Sequence, residues 1–172
     1  MKTLIKATHK KWIEKIKSGE KTYELGKGFQ NVEVPFKDFI YEPKNGGGCG
    51  MVVGEYICNK KIKINYPIEN NSNQIAKGSC VSRKEMLAYT KNETAKNVYA
   101  LHITAPKFYD NPKKLSEFGE FCKYNSPVNC DRCKYDVFDD VCEESHCIYG
   151  GLIPIEHAPQ NFIYCEDLEE IR

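Results

Sequence analysis

No stretch of this chain approaches the roughly 20 apolar residues that a membrane-spanning helix requires. The opening MKTLIKATHKKW has no apolar run long enough for a signal-peptide core. Both absences lead to the expectation of a cytoplasmic protein with no membrane partner. There is no G-x-x-x-x-G-K-[ST] loop, no Rossmann fingerprint and no defensible Ser-His-Asp arrangement. GGGCG at 46–50 lacks the strand-to-helix context of a nucleotide loop. P-loop hydrolysis, dinucleotide chemistry and triad catalysis are therefore set aside. Internal repeats and long linkers are also missing. The 172 residues are read as one domain, 1–172, long enough to bury a core unaided.

Net charge is scarce as well, at +1, but it is unevenly spread. Residues 1–30 hold eight lysines against three glutamates, and 117–147 hold eight acids against Lys123, Arg132 and Lys134. A basic first end is compatible with an anionic ligand. The competing reading is a solvated, lysine-rich helix face.

Hydrophobic spacing gives an alternation of short elements. HKKWIEKIKS (9–18) places Trp12, Ile13 and Ile16 at helical spacing, and Gly19 follows as a helix stop. Thr22 to Leu25 reads as a short strand, FKDFIYE after Pro35 as another, and PKNGGGCG (43–50) as a turn. MVVGEYIC (51–58) and NKKIKINY continue as strand. Residues 67–79 read as a polar loop. Ser82 and Glu85 form a capping box that opens a helix through MLAYT. NVYALHIT (97–104) is strand-like. Residues 111–121 are predicted helical, with Pro112 at the start and Leu115, Phe118 and Phe121 on one face. GLIPIE and NFIYCED are extended. Strands interleaved with three short helices point to an α+β fold with a mixed β-barrel.

Five of the nine cysteines lie in 122–149. Cys130-x2-Cys133 followed by Cys142-x4-Cys147 brings two short-spaced pairs together, the pattern of a closed tetrahedral structural zinc site. The segment has few large apolar residues, and ligation would offset an ordering cost that its own core cannot. The expected cofactor is one structural Zn2+ in a zinc-binding insertion, with Cys122 or His146 as substitutes for one ligand. Free buried thiols, disulfides formed after purification, and a redox C-x-x-C pair are the competing fates. The last wants a βαβ context absent here.

Gly19, Lys21 and Glu24 stand in the pattern G-x-K-x-x-E, which resembles the start of ASCH-domain proteins, a branch of the PUA-like superfamily. VPFKDFIYEPK, VVGEYIC, SCVSRKEMLAY, YALHITAPKFYDNPKKLSEF and APQNFIYCEDL look, in order, like further segments of small phage and prophage ASCH proteins. Several of those relatives carry a cysteine-rich insertion before the final P-Q-x strand. The resemblance implies a PUA-like barrel with a cleft between the first helix and the sheet, linked in the superfamily to RNA, modified bases or nucleosides. Some members are amidohydrolases on acylated cytidine, and ribonuclease activity has been attributed to others. Where the family has an arginine this chain has Gly26, followed by Lys27. The amidohydrolase branch uses a threonine at the position of Glu24.

The candidate site follows from these residues. Lys21 and Glu24 are the catalytic candidates if the protein is an enzyme, and Lys6, Lys21, Glu24, Lys27 and His102 are the ligand-binding candidates. In a strand, residues 21 and 24 point to opposite faces. They converge only if Lys21 precedes the strand or a bulge intervenes. A surface ion pair, worth about 0–1 kcal/mol, is the bland alternative. His102 has a structural alternative, and Tyr23, Tyr41, Tyr56 and Tyr99 are either stacking platforms or core. Three functions stay open: an RNA or nucleoside binder, an amidohydrolase or ribonuclease on the same fold, or a module that docks a protein partner through its acidic insertion.

Overall fold

The computed structural model describes residues 1–64, 72–91, 98–121 and 152–169. Eight strands form a sheet in the order β2-β5-β4-β3-β1-β8-β6-β7. Their spans are β1 Lys2–Ala7, β2 Tyr23–Lys27, β3 Phe36–Glu42, β4 Met51–Lys63, β5 Val98–Lys113, β6 Phe118–Phe121, β7 Leu152–Pro154 and β8 Phe162–Asp167. Among the described residues three helices accompany them: α1 Lys10–Lys17, α2 Ser72–Ser79 and α3 Arg83–Lys91. The β1–β3 pair is parallel and the other pairs are antiparallel. The sheet is therefore mixed and the class α+β, as the alternation of elements implies.

Helix α1 forms where Ile13 and Ile16 fall on one buried stripe among lysines. Lys15 and Lys17 in its last turn suit the negative end of the helix dipole. Gly19, at φ +78°, ends it in the left-handed region that costs glycine little. The chain then turns directly into β2.

The sheet curls so that its β2 edge meets β1, a strand in its interior. β2 and β1 are separated in sheet order by β5, β4 and β3, yet Lys6 of β1 lies 3.1 Å from Glu24 of β2. Inside the curl, Leu4, Ile13, Ile16, Phe29, Phe36, Ile40, Tyr56 and Leu101 share one core. The opposite face packs Ile5, Phe39, Val52, Leu115, Phe118, Ile155 and Cys165. A third cluster seats α2 and α3 through Ile75 and Met86 against Val98 and Ala100 of β5. Lys61 holds the 3-10 turn Phe29–Asn31 onto β4, its ammonium gathering the carbonyls of Phe29, Gln30 and Val32.

Two predicted elements differ. Residues 111–121 are not a helix: β5 runs to Lys113, a 3-10 turn covers Leu115–Glu117, and β6 follows. Among the described residues, β5 beyond His102 pairs in the ladder with β4 alone, an edge position that tolerates Pro106 and Pro112. Leu115 and Phe118 do share a cluster, but the 3-10 turn brings them together. Within the expected loop 67–79, residues 72–79 form α2, whose Ile75 is buried in the third cluster. Tertiary burial of that one side chain outweighs the segment's polar composition. The zinc ligand set Cys130, Cys133, Cys142 and Cys147, with Cys122 and His146, lies outside the described residues.

Candidate functional site

Lys21 sits in the turn before β2, with its amide donating to the Lys15 carbonyl at 2.9 Å. Glu24 lies within β2, opposite Leu101 of β5. The parity conflict of a continuous strand therefore does not arise. The two side chains converge, with Lys21 Nζ 3.5 Å from Glu24 Oε2. Lys6 Nζ reaches Glu24 Oε1 at 3.1 Å from the far side, and the Leu25 amide donates to that same oxygen at 3.0 Å. One carboxylate is thus gripped by two ammoniums inside the curl.

All three residues are buried: Lys21 is 2% exposed, Glu24 8% and Lys6 9%. Burial lowers the pKa of Lys21; Glu24 opposes that shift and Lys6 adds to it. For Glu24, burial alone would raise the carboxyl. The Lys6 and Lys21 charges, with the Leu25 amide, outweigh it and hold the group below the usual carboxylate range. A surface ion pair is excluded by this burial. Removing one partner would strand a charge in low dielectric, which typically costs about 3–5 kcal/mol.

The same residues form the floor of a cavity of about 450 Å³. Lys21 is fixed there by donating to the Ser79 carbonyl at 2.8 Å, at the end of α2, and its ammonium lies 4.8 Å from the Trp12 ring centroid. Trp12 of α1 and Tyr89 of α3 line the walls, with His9, Lys27, Glu85, Gln160 and Asn161 also at its surface. Lys27 Nζ lies 4.2 Å from the Tyr89 ring centroid. Glu85 is held by the capping box, with Ser82 N–H 2.9 Å and Ser82 Oγ 2.6 Å from its Oε2. Asn161 donates to the Lys27 carbonyl at 2.8 Å and so ties the approach to β8 onto β2.

Beneath this floor lies a second carboxyl, Asp38 of β3, 1% exposed. Tyr56 donates to its Oδ2 at 2.6 Å, and Oδ1 is buried without a hydrogen-bond partner among the described residues. Burial pushes Asp38 up to about 7, against the pull of Lys6 and the Tyr56 hydrogen bond.

Lys6, Lys21, Glu24 and Lys27 are therefore brought together, whereas His102 does not line the cavity. His102 packs on Tyr23, ring centroids 5.1 Å apart, and its Nδ1 is 3.1 Å from Asn59 Oδ1. Tyr41, Tyr56 and Tyr99 are buried in the core. A larger concavity of about 680 Å³ is lined by Met1, Lys2, Thr3, Glu120, Tyr164 and their neighbours. None of its charged side chains is buried, so it lacks the desolvated charges that give the smaller cavity its chemistry. Among the described residues, no group of three or more His, Cys, Asp or Glu side chains is placed to hold a metal ion, and no helix is long and apolar enough to cross a membrane.

No family model matches the sequence, and no curated protein does either. Solved structures match over nearly the whole chain. An ASCH protein from Zymomonas mobilis superposes with a TM-score of 0.61 at 11% identity, covering 98% of this chain and 91% of that one. A serine-to-alanine variant of the Zymomonas mobilis protein gives 0.62 at 11% identity, with 98% and 92% covered. A tyrosine-to-phenylalanine variant gives 0.61 at 11% identity, with 99% and 95% covered. The chain has the ASCH fold.

At Gly26, where the resemblance leads to the expectation of an arginine, packing accounts for the glycine. A Cβ there would lie 2.5 Å from a ring carbon of Phe29, which is 0% exposed, and 3.2 Å from Leu101. No side chain enters without moving the core. Lys27, one residue on, reaches the cavity instead. Sequence reasoning missed Tyr89, Gln160, Asn161 and Asp38. Gln160 and Asn161 belong to APQNF, one of the segments that carry the ASCH resemblance, which was the available signal. Asp38 gives none, because FKDFIYE reads as an ordinary strand with one polar residue.

Proposed function

We propose that this protein binds RNA or a modified nucleoside, with one nucleoside received in the cavity above Lys6, Lys21 and Glu24. The observation that carries this reading is the convergence of two buried ammoniums on one buried carboxylate at a cavity floor. With Glu24 ionised, the three leave one net positive charge, suited to a phosphate or a polarised carbonyl. The carboxylate suits an N–H donor on a base edge. A volume of about 450 Å³ is on the scale of a small-ligand site. Trp12 and Tyr89 supply faces on which a base can stack. Lys10, Lys11, Lys15 and Lys17 of α1 place further positive charge on an element that lines the site. The ASCH fold is compatible with this reading in general terms.

The test is binding of a short single-stranded RNA, followed by fluorescence anisotropy at several salt concentrations. Affinity is expected to fall as salt rises. Lys27→Gln should weaken binding and lower the salt slope by about 1, and Lys21→Met should weaken it more. Binding unaffected by either substitution would remove the cavity from the account.

A hydrolase is the second reading, favoured by the lowered pKa of Lys21 beside Glu24. A neutral Lys21 amine would take a proton from a water attacking an amide or ester, while Glu24 orients the substrate. Turnover of an acylcytidine or an RNA by the wild-type protein, lost in Glu24→Gln with the fold retained, would support it. From the sequence we also propose that Cys130, Cys133, Cys142 and Cys147 hold one structural zinc.

A further inference from the structure

The first layer beneath the cavity floor is a titratable group that the binding reading does not use. Leu4 pairs with Asp38 and Lys6 with Ile40 across β1 and β3, and Asp38 pairs with Tyr56 across β3 and β4. In-register partners and residues two apart share a face, so Asp38, Tyr56 and Lys6 all project from the same side of the sheet. That side is the inside of the curl, where Leu4, Ile40 and Tyr56 are core.

We propose that Asp38, held by Tyr56, is a positioning residue that stores a proton beneath the floor and couples anion binding at Lys6 and Lys21 to proton uptake. Tyr56 occupies Oδ2, so the proton resides on Oδ1, the oxygen that no group among the described residues satisfies. Lys6 is committed to Glu24 Oε1 and the Leu25 carbonyl. A buried carboxylate with a single neutral hydrogen-bond donor is poorly solvated, which favours its protonated form, in agreement with its rise to about 7. Among the described residues, the groups that interact electrostatically with Asp38 include Lys6 of β1, Glu24 of β2, Tyr56 and Cys58 of β4 and Cys165 of β8. Of these only Lys6 favours the ionised carboxylate by its charge.

The consequence for the floor is a change of net charge. With Asp38 protonated, Lys6 and Lys21 exceed Glu24 by one positive charge. With Asp38 ionised the excess vanishes. An anion drawn to the floor repels the ionised form of Asp38, so binding takes up a proton, and affinity falls as pH rises through the neutral range.

The inference rests on the nucleic-acid reading, and the experiment separates the two. A short oligoribonucleotide without a terminal phosphate has no phosphate that titrates between pH 6 and 8, and it serves as the probe. His9→Asn is carried in every protein compared, removing the imidazole at the mouth. Affinity of the Asp38-containing protein is expected to fall severalfold from pH 6 to 8, by no more than about tenfold per pH unit, the limit for one linked proton. Asp38→Asn should bind with little pH dependence and be the tighter binder at pH 8. A second measurement needs no ligand. Because the folded-state pKa of Asp38 is raised, stability relative to Asp38→Asn should decline as pH rises from about 4 to 7 and level off above.

Equal pH slopes in the two proteins overturn the coupling while leaving the binding reading intact. Stability curves that stay parallel show that Asp38 stores no proton, and they overturn it as well. No binding by either protein at any pH removes the nucleic-acid reading and this coupling together.

Discussion

Gly26 shows how a single position constrains both the core and the site. Its missing side chain is what allows the Phe29 ring to lie against β2. Gly26→Ala should destabilise by about 1–3 kcal/mol, the usual cost of overpacking, and lower the melting temperature by several degrees. The loss should shrink in a Phe29→Leu background, where the colliding ring is gone. Equal losses in both backgrounds would rule out the steric account. Lys21 and Glu24 are legible in the sequence as residue types at a given spacing, and a turn before the strand is one of the two arrangements that let them converge. Spacing does not reveal their burial, which the resemblance alone implies, because their partners Lys6 and Ser79 come from other parts of the chain. Asp38 was illegible for a similar reason: its significance comes from Tyr56 on the neighbouring strand.

At the scale of elements, α3 carries Tyr89 and Glu85 to the cavity, and its N-terminus is organised by the Ser82–Glu85 box. Glu85 N–H donates to Ser82 Oγ at 3.2 Å, and Glu85 Oε2 accepts from Ser82 in return. Ser82→Ala should cost about 1 kcal/mol, read by thermal denaturation, with faster amide exchange in the first turn of α3. A melting temperature and exchange rates equal to wild type would mean that the box contributes nothing. This helix start was readable because a capping box is local chemistry. The failure at 111–121 has the opposite origin. Leu115 and Phe118 are three apart in a helix or a 3-10 turn alike, and it is the β4 pairing, with Val52 opposite Lys113, that extends β5 through Pro112. Hydrophobic spacing records which side chains are buried together, and here it was silent about the backbone that gathers them.

At the scale of the molecule, the cysteine-rich segment follows β6 and precedes β7, which pair with each other in the sheet. An ordered staple between them would stabilise that end. Reduced, purified protein should carry about one zinc per chain by elemental analysis, and chelation should lower its melting temperature. Well under one zinc per chain sinks the staple. The cavity, by contrast, is assembled from remote stretches of chain. Lys21 is anchored to Ser79, 58 residues away, and Asn161 reaches Lys27 across 134. Such separations give a high contact order, and loop-closure entropy delays pairings of this kind until most of the topology exists. A nascent chain that has emerged from the ribosome only as far as β2 therefore carries the G-x-K-x-x-E signature without a place to put a ligand. Under the proposed binding reading, competence arrives late in biosynthesis, when Asn161 reaches Lys27, and a ligand in the cavity would report that the last strands have joined the first.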